Sequence, residues 1–174
     1  MDKEQGAQKE ITSTKELYKV GITLGDLNGI GPEVAIKALK DNRILSDFTP
    51  VIYGSAKVLS YYKKQLDLQD FQYTSCKNAS EVIAKKINVI NVWNEDVELS
   101  IGEANVTGGT YAFKSLEAAT QDLSEGKIDV LVTSPFSKDA IQKAGFQFPG
   151  HTEYLADMSG VPEALMILVF MYWM

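Results

Sequence analysis

Asp129-Val-Leu-Val-Thr-Ser-Pro-Phe-Ser137-Lys-Asp-Ala-Ile-Gln-Lys-Ala-Gly145-Phe-Gln-Phe-Pro-Gly-His151-Thr152-Glu-Tyr-Leu155 reads as one strand feeding two short helices. Asp129 to Thr133 is a short, β-branched apolar run bounded by Ser-Pro, the pattern of a buried strand. Ser137 is placed to cap the next helix, with Asp139 in its first turn and Ala140, Ile141 and Ala144 on one face. Gly145 stands where a left-handed C-terminal cap is wanted. After the Phe-Gln-Phe-Pro-Gly turn, His151 and Thr152 open a second helix that Gly160 and Pro162 close. Both helix starts present free N–H groups and the positive end of a helix dipole, a setting that suits anions.

Working outward, the same alternation repeats. Tyr18 to Leu24 is predicted as a strand, Gly25 to Gly31 as a turn, and Pro32 as the first helical position. On that helix Val34, Ala35, Ala38 and Leu39 share a face. Pro50 to Tyr53 is the next strand, followed by Gly54-Ser55 and a helix with Val58, Leu59, Tyr62 and Leu66 on one stripe. Asp67 to Glu81 shows no period. Ile87 to Val92 is a third strand, Asn94 to Gly109 is polar and turn-rich, and Ala112, Leu116, Ala119 and Leu123 mark another helix. Repeated βα units of this length imply a mostly parallel sheet covered on both faces. The apolar run Ala164 to Met174 is too short to span a bilayer, which takes about twenty residues, and reads as a buried strand at least to Val169.

Composition narrows the function classes. The 174 residues are 45% apolar and 23% charged, ordinary for a globular domain with a real core. A net charge of -6 with no Lys/Arg cluster disfavours nucleic acid or an anionic membrane as partner. One cysteine, Cys76, excludes an intrachain disulfide and a cysteine-based metal site, and one histidine excludes a histidine cluster within the chain. Met1 to Lys19 lacks the apolar core of a signal peptide. A cytoplasmic protein with a flexible tail over residues 1–18 and one folded unit over 19–174 is expected.

Four features carry candidate chemistry. Gly25 to Glu33 joins a strand to a helix with glycines that permit close ligand approach, yet it matches neither a Walker A loop nor the dinucleotide fingerprint. Asp26 and Asn28 either cap this turn or touch a ligand. Thr133 and Ser134 end a strand at the edge where open α/β sheets bind ligands. Lys138, in a helix first turn, is either a surface lysine or a sign of an anion nearby. His151 can be a core histidine, a metal ligand or a hydrogen-bonding substrate residue; its place between a Pro-Gly turn and a polar helix start favours the last.

Lys19-Val-Gly-Ile-Thr-Leu-Gly-Asp-Leu-Asn-Gly-Ile-Gly-Pro-Glu33 resembles the opening of the 4-hydroxythreonine-4-phosphate dehydrogenases of pyridoxal phosphate biosynthesis. Val132-Thr-Ser-Pro-Phe-Ser-Lys138, Gly145-Phe-Gln-Phe-Pro-Gly-His-Thr-Glu-Tyr-Leu-Ala156 and the glycine-bearing stretch Ile101 to Ala119 resemble the same family. The resemblance implies a three-layer α/β/α fold like that of isocitrate and isopropylmalate dehydrogenases. It implies NAD-dependent oxidation of 4-phosphooxy-L-threonine, with spontaneous loss of carbon dioxide from the keto acid. It also implies a divalent metal cation (Zn, Mg or Co), a homodimer, and substrate binding by His151 and Thr152. Leu27 and Asn28 depart from the proline and alanine common in the family, and Ser137 from its histidine or asparagine. The family runs to roughly twice this length, with its metal-binding histidines beyond Met174. The expectation is therefore a truncated N-terminal portion without catalysis of its own, and with exposed apolar strand edges that make it self-associate. Three other readings stand beside it. One is a dehydrogenase of another four-carbon 4-phosphate acid of the threonate or erythronate type. Another is a phosphate acyltransferase, recognisable by acyl-coenzyme A use without NAD reduction. The last is a fragment with no catalytic role.

Overall fold

A computed structural model describes residues 17–169. Five strands form one wholly parallel sheet in the order β3-β4-β2-β1-β5. They are β1 (Tyr18–Thr23), β2 (Phe48–Gly54), β3 (Thr74–Cys76), β4 (Asn88–Asn91) and β5 (Val130–Val132). The helices are α1 (Gly31–Leu39), α2 (Ala56–Gln65), α3 (Val106–Ser124), α4 (Lys138–Lys143) and α5 (His151–Met158). Every strand side chain alternates faces, and β2 shows the consequence. Ile52 faces a core built with Leu39 of α1 and Leu59 of α2. Val51 and Tyr53 face the other way, toward Ala119 of α3 and Ile128. The sheet is thus covered on both faces, and α3 carries a third cluster outward through Leu116 to Ile141 of α4 and Tyr154 of α5. The three-layer α/β/α expectation holds.

Two buried polar residues pin the layers. Ser115 of α3 donates to the Tyr53 carbonyl (2.7 Å) and accepts from the Leu24 amide (3.1 Å), joining the helix to β2 and to the residue that follows β1. Asn88 donates to the carbonyls of Pro50, Ile83 and Lys86 and accepts from the Ile83 amide, closing the turn before β4. A buried amide with this many partners resists displacement, since each lost bond strands a desolvated group.

Several expectations are corrected. On α1 the buried stripe is Pro32, Ala35, Ile36 and Leu39, while Val34 and Ala38 are exposed. Both stripes are helical, and docking selects the one that buries the larger Ile36. Pro32 is the second residue of α1, after Gly31. The Asp129 strand is shorter than expected and is not buried: β5 forms a sheet edge, with Val130 46% and Val132 48% exposed. The run from Ala164 to Val169 is no strand, and Leu165 to Val169 stay 65% to 87% exposed. Strand structure depends on a paired neighbour, which an apolar run alone does not supply. The patternless Asp67 to Glu81 stretch contains β3 and a 3₁₀ turn over Ala79–Glu81. The expected tail up to Glu16 and the end from Phe170 lie outside the described residues. No described helix is long and apolar enough to cross a membrane.

Candidate functional site

The loops after β1 and β5 leave the sheet at the C-terminal ends of adjacent parallel strands, where ligand crevices form in this architecture. They are tied together at two points. The Ser134 amide donates to Thr23 Oγ1 (3.0 Å), and the Asp26 amide donates to the Pro135 carbonyl (3.1 Å). Gly25 is at φ +65°, and a Cβ there would run into the Pro135 carbonyl oxygen. Only glycine lets the two loops lie this close.

Asp26 and Asn28 are both buried. Asp26 Oδ1 accepts from the Asn28 amide at 2.9 Å, an Asx turn that shapes the loop from within. Asn28 then reaches across the chain. Its Oδ1 accepts from the Ser100 amide (2.8 Å), its carbonyl accepts from Gly102 (2.8 Å), and its Nδ2 donates to Asn105 Oδ1 (2.9 Å). Asn105 Oδ1 also accepts from the Gly108 amide and so caps α3. Of the two readings of Asn28, the turn-building one is what the geometry displays. Ser100 and Asn105 lie in the polar stretch read from sequence as turns; an asparagine three residues before Gly108 was the available signal for the cap.

These loops enclose an open cleft of about 340 Å³. Asp26, Asn28 and Gly29 form one wall, Gly102 to Ala104 a second, and Pro135, Phe136 and Ser137 the third. Ser137 caps α4, its Oγ accepting from the Ala140 amide at 3.2 Å, and Gly145 ends that helix at φ +101°. Both match the sequence reading. Lys138 is exposed in the first turn of α4, and Thr133 is half-buried at the end of β5.

His151 opens α5 as its first residue, after Gly150. Its ring lies against Phe136, with centroids 4.0 Å apart and planes tilted by 36°. Its Nε2 is buried and has no hydrogen-bond partner. Burial pushes the imidazole pKa below the usual histidine value, which favours the neutral ring. Thr152, its neighbour, lines a separate outer groove of about 680 Å³ beside Phe148 and Pro162. Phe136 therefore belongs to the Asp26 cleft and touches His151, a link that no local pattern announces. Among the described residues no group of three or more His, Cys, Asp or Glu side chains is gathered to hold a metal ion.

The model of one protein family, the pyridoxal phosphate biosynthetic protein PdxA, matches residues 46–172. The chain is 40% identical over 152 residues to the 4-hydroxythreonine-4-phosphate dehydrogenase of Bacteroides thetaiotaomicron, covering 87% of this chain and 42% of that relative. It is 32% identical over 154 residues to the D-threonate 4-phosphate dehydrogenase of Cupriavidus necator, covering 86% and 45%. The crystal structure of a 4-hydroxythreonine-4-phosphate dehydrogenase from Burkholderia phymatum shares the fold with a TM-score of 0.76 at 32% identity. That match covers 84% of this chain and 45% of the other. The chain spans less than half the length of the curated relatives it matches.

Proposed function

Because the chain belongs to the pyridoxal phosphate biosynthetic protein PdxA family, we propose that it forms the substrate-side portion of an NAD-dependent 4-hydroxythreonine-4-phosphate dehydrogenase. The substrate is 4-phosphooxy-L-threonine. Its secondary alcohol loses a hydride and a proton to become a ketone, and the resulting 3-keto acid releases carbon dioxide. When bound, the nicotinamide accepts the hydride and a divalent cation polarises the alcohol. No ligand set for that cation is found among the described residues. The part left to this chain is binding and orientation: His151 and Thr152 hydrogen-bond the substrate from the start of α5, where the free N–H groups also suit a phosphate or carboxylate. A homodimer in the cytoplasm is the setting that the family resemblance implies.

The observation that carries this reading is the unpartnered Nε2 of His151 on a ring that touches the cleft wall. The test places the substitution matching His151→Ala in a full-length relative. A lost hydrogen bond to a charged group contributes about 1.5–3 kcal/mol, so kcat/KM should fall roughly 10- to 150-fold. Unchanged kcat/KM would remove His151 from the substrate site. The 174-residue chain given NAD, a divalent cation and substrate should form no NADH, and clear turnover would contradict its assignment as a partial site.

A second reading, oxidation of D-threonate 4-phosphate, is favoured by the similarity to the Cupriavidus necator enzyme. The two substrates differ by an amino group in place of a hydroxyl. A panel of both on the full-length protein separates them by kcat/KM.

A further inference from the structure

Phe136 stands between the only histidine and the cleft. The cleft wall includes Phe136 and does not include His151. The two rings lie 4.0 Å apart, and the imidazole Nε2 has neither solvent exposure nor a hydrogen-bond partner. Phe136 also makes an edge-type contact with Phe146, with ring centroids 5.8 Å apart. Its backbone is fixed independently of the ring. The Pro135 carbonyl accepts from Asp26, and the Ser137 carbonyl and hydroxyl accept from the first turns of α4. The side chain can therefore change rotamer while the main chain stays in place.

We propose that Phe136 is a gating and positioning residue for His151. Its ring closes Nε2 off from the Asp26–Asn28 cleft, and a rotation of that ring opens the path by which a small phosphorylated hydroxy acid reaches the nitrogen. The ligand half of this proposal rests on the reading of His151 as a substrate contact. A buried ring nitrogen without a partner is disfavoured, which biases the closed arrangement toward opening once a ligand can supply that partner. Stacking on the neutral imidazole keeps the closed form in the majority until then. The gate also selects against bulky ligands, because the space released is only that of one swung phenyl ring.

The single histidine makes the test clean. Diethyl pyrocarbonate acylates an exposed neutral imidazole nitrogen; in the purified 174-residue chain only His151 can give that adduct, and the rate read is that of the Nε2 adduct, distinguished from the Nδ1 adduct by NMR. A minor open state is typically 0.1–10% populated, so Phe136→Ala should speed modification by roughly 10- to 1,000-fold. Phe136→Tyr, which keeps the stack, should react like the parent chain. Phe148→Ala is the control for general loosening: Phe148 packs on Phe146 and Tyr154 of the same cluster, with no ring contact to His151. It too should leave the rate unchanged. Equal rates for the parent and Phe136→Ala would overturn the gate, as would an acceleration by Phe148→Ala of the same size. Inorganic phosphate should slow the reaction, at lower concentration in Phe136→Ala than in the parent. Absence of phosphate protection in every variant would instead overturn the substrate reading and the ligand half of the proposal, while the rates alone decide the gate.

Discussion

Asn28→Ala is the substitution whose consequence follows most directly from the geometry. The side chain is 2% exposed and makes two hydrogen bonds, one to Asn105 Oδ1 at 2.9 Å and one from the Ser100 amide at 2.8 Å. Asn105 Oδ1 keeps its bond from Gly108, so the α3 cap survives. The Ser100 amide is left without its acceptor. Losing one ordinary bond contributes about 0.5–1.5 kcal/mol, and stranding a part-buried donor about 1–3 kcal/mol more. The sum is roughly 1.5–4.5 kcal/mol. At about 2–4 °C per kcal/mol for a chain of this size, Tm should fall by roughly 3–18 °C. Urea unfolding should show a lower midpoint with the slope m unchanged, because the surface exposed on unfolding is the same. Amide exchange should accelerate at Ser100 and Gly102 before it does in the sheet. A midpoint shift equivalent to less than about 0.5 kcal/mol, with Ser100 as protected as before, would refute the claim that Asn28 anchors the 94–105 loop.

Three further outcomes are expected. At Gly109 a Cβ would collide with the Ala140 carbonyl, where α3 and α4 touch backbone to backbone; Gly109→Ala should destabilise by about 1–3 kcal/mol, read from urea midpoints. Burial pushes the Tyr62 phenol up to about 12 from its ordinary 10, and the hydroxyl donates to the Leu27 carbonyl. The folded value lies above the unfolded one, so this stability is present below pH 10 and is lost as pH rises toward 12; Tyr62→Phe should flatten the urea midpoint across that window. The apolar run Leu165 to Val169 and the open edge of β5 are exposed together, so the chain should self-associate in sedimentation. Ile167→Lys should weaken that association about 10- to 150-fold, the equivalent of roughly 1.5–3 kcal/mol for one buried isoleucine. A monomeric parent chain at all concentrations would contradict this.

The features legible in the sequence are those settled within a few residues. Alternating βα units, the Ser137 cap and the Gly145 terminator depend on local backbone preference and local hydrogen bonds, and each stands where its residues predict. The strand-to-helix turn at Gly25 and the helix start at His151 were likewise readable, because glycine, proline and capping residues act on their own neighbourhood. What the sequence left open required partners far along the chain. Ile36 is buried in preference to Val34 because of what α1 docks against. Val130 and Val132 are exposed because β5 stands at the edge of the sheet and the packed clusters cover it on the Leu131 face. Asn28 and Ser100 are bonded across 72 positions, and Phe136 meets His151 across a loop and a helix. Local chemistry determined the elements of this protein. Only the tertiary structure decided which faces are dry and which side chains share the cleft, because those contacts depend on where each rigid element is placed rather than on what it is made of.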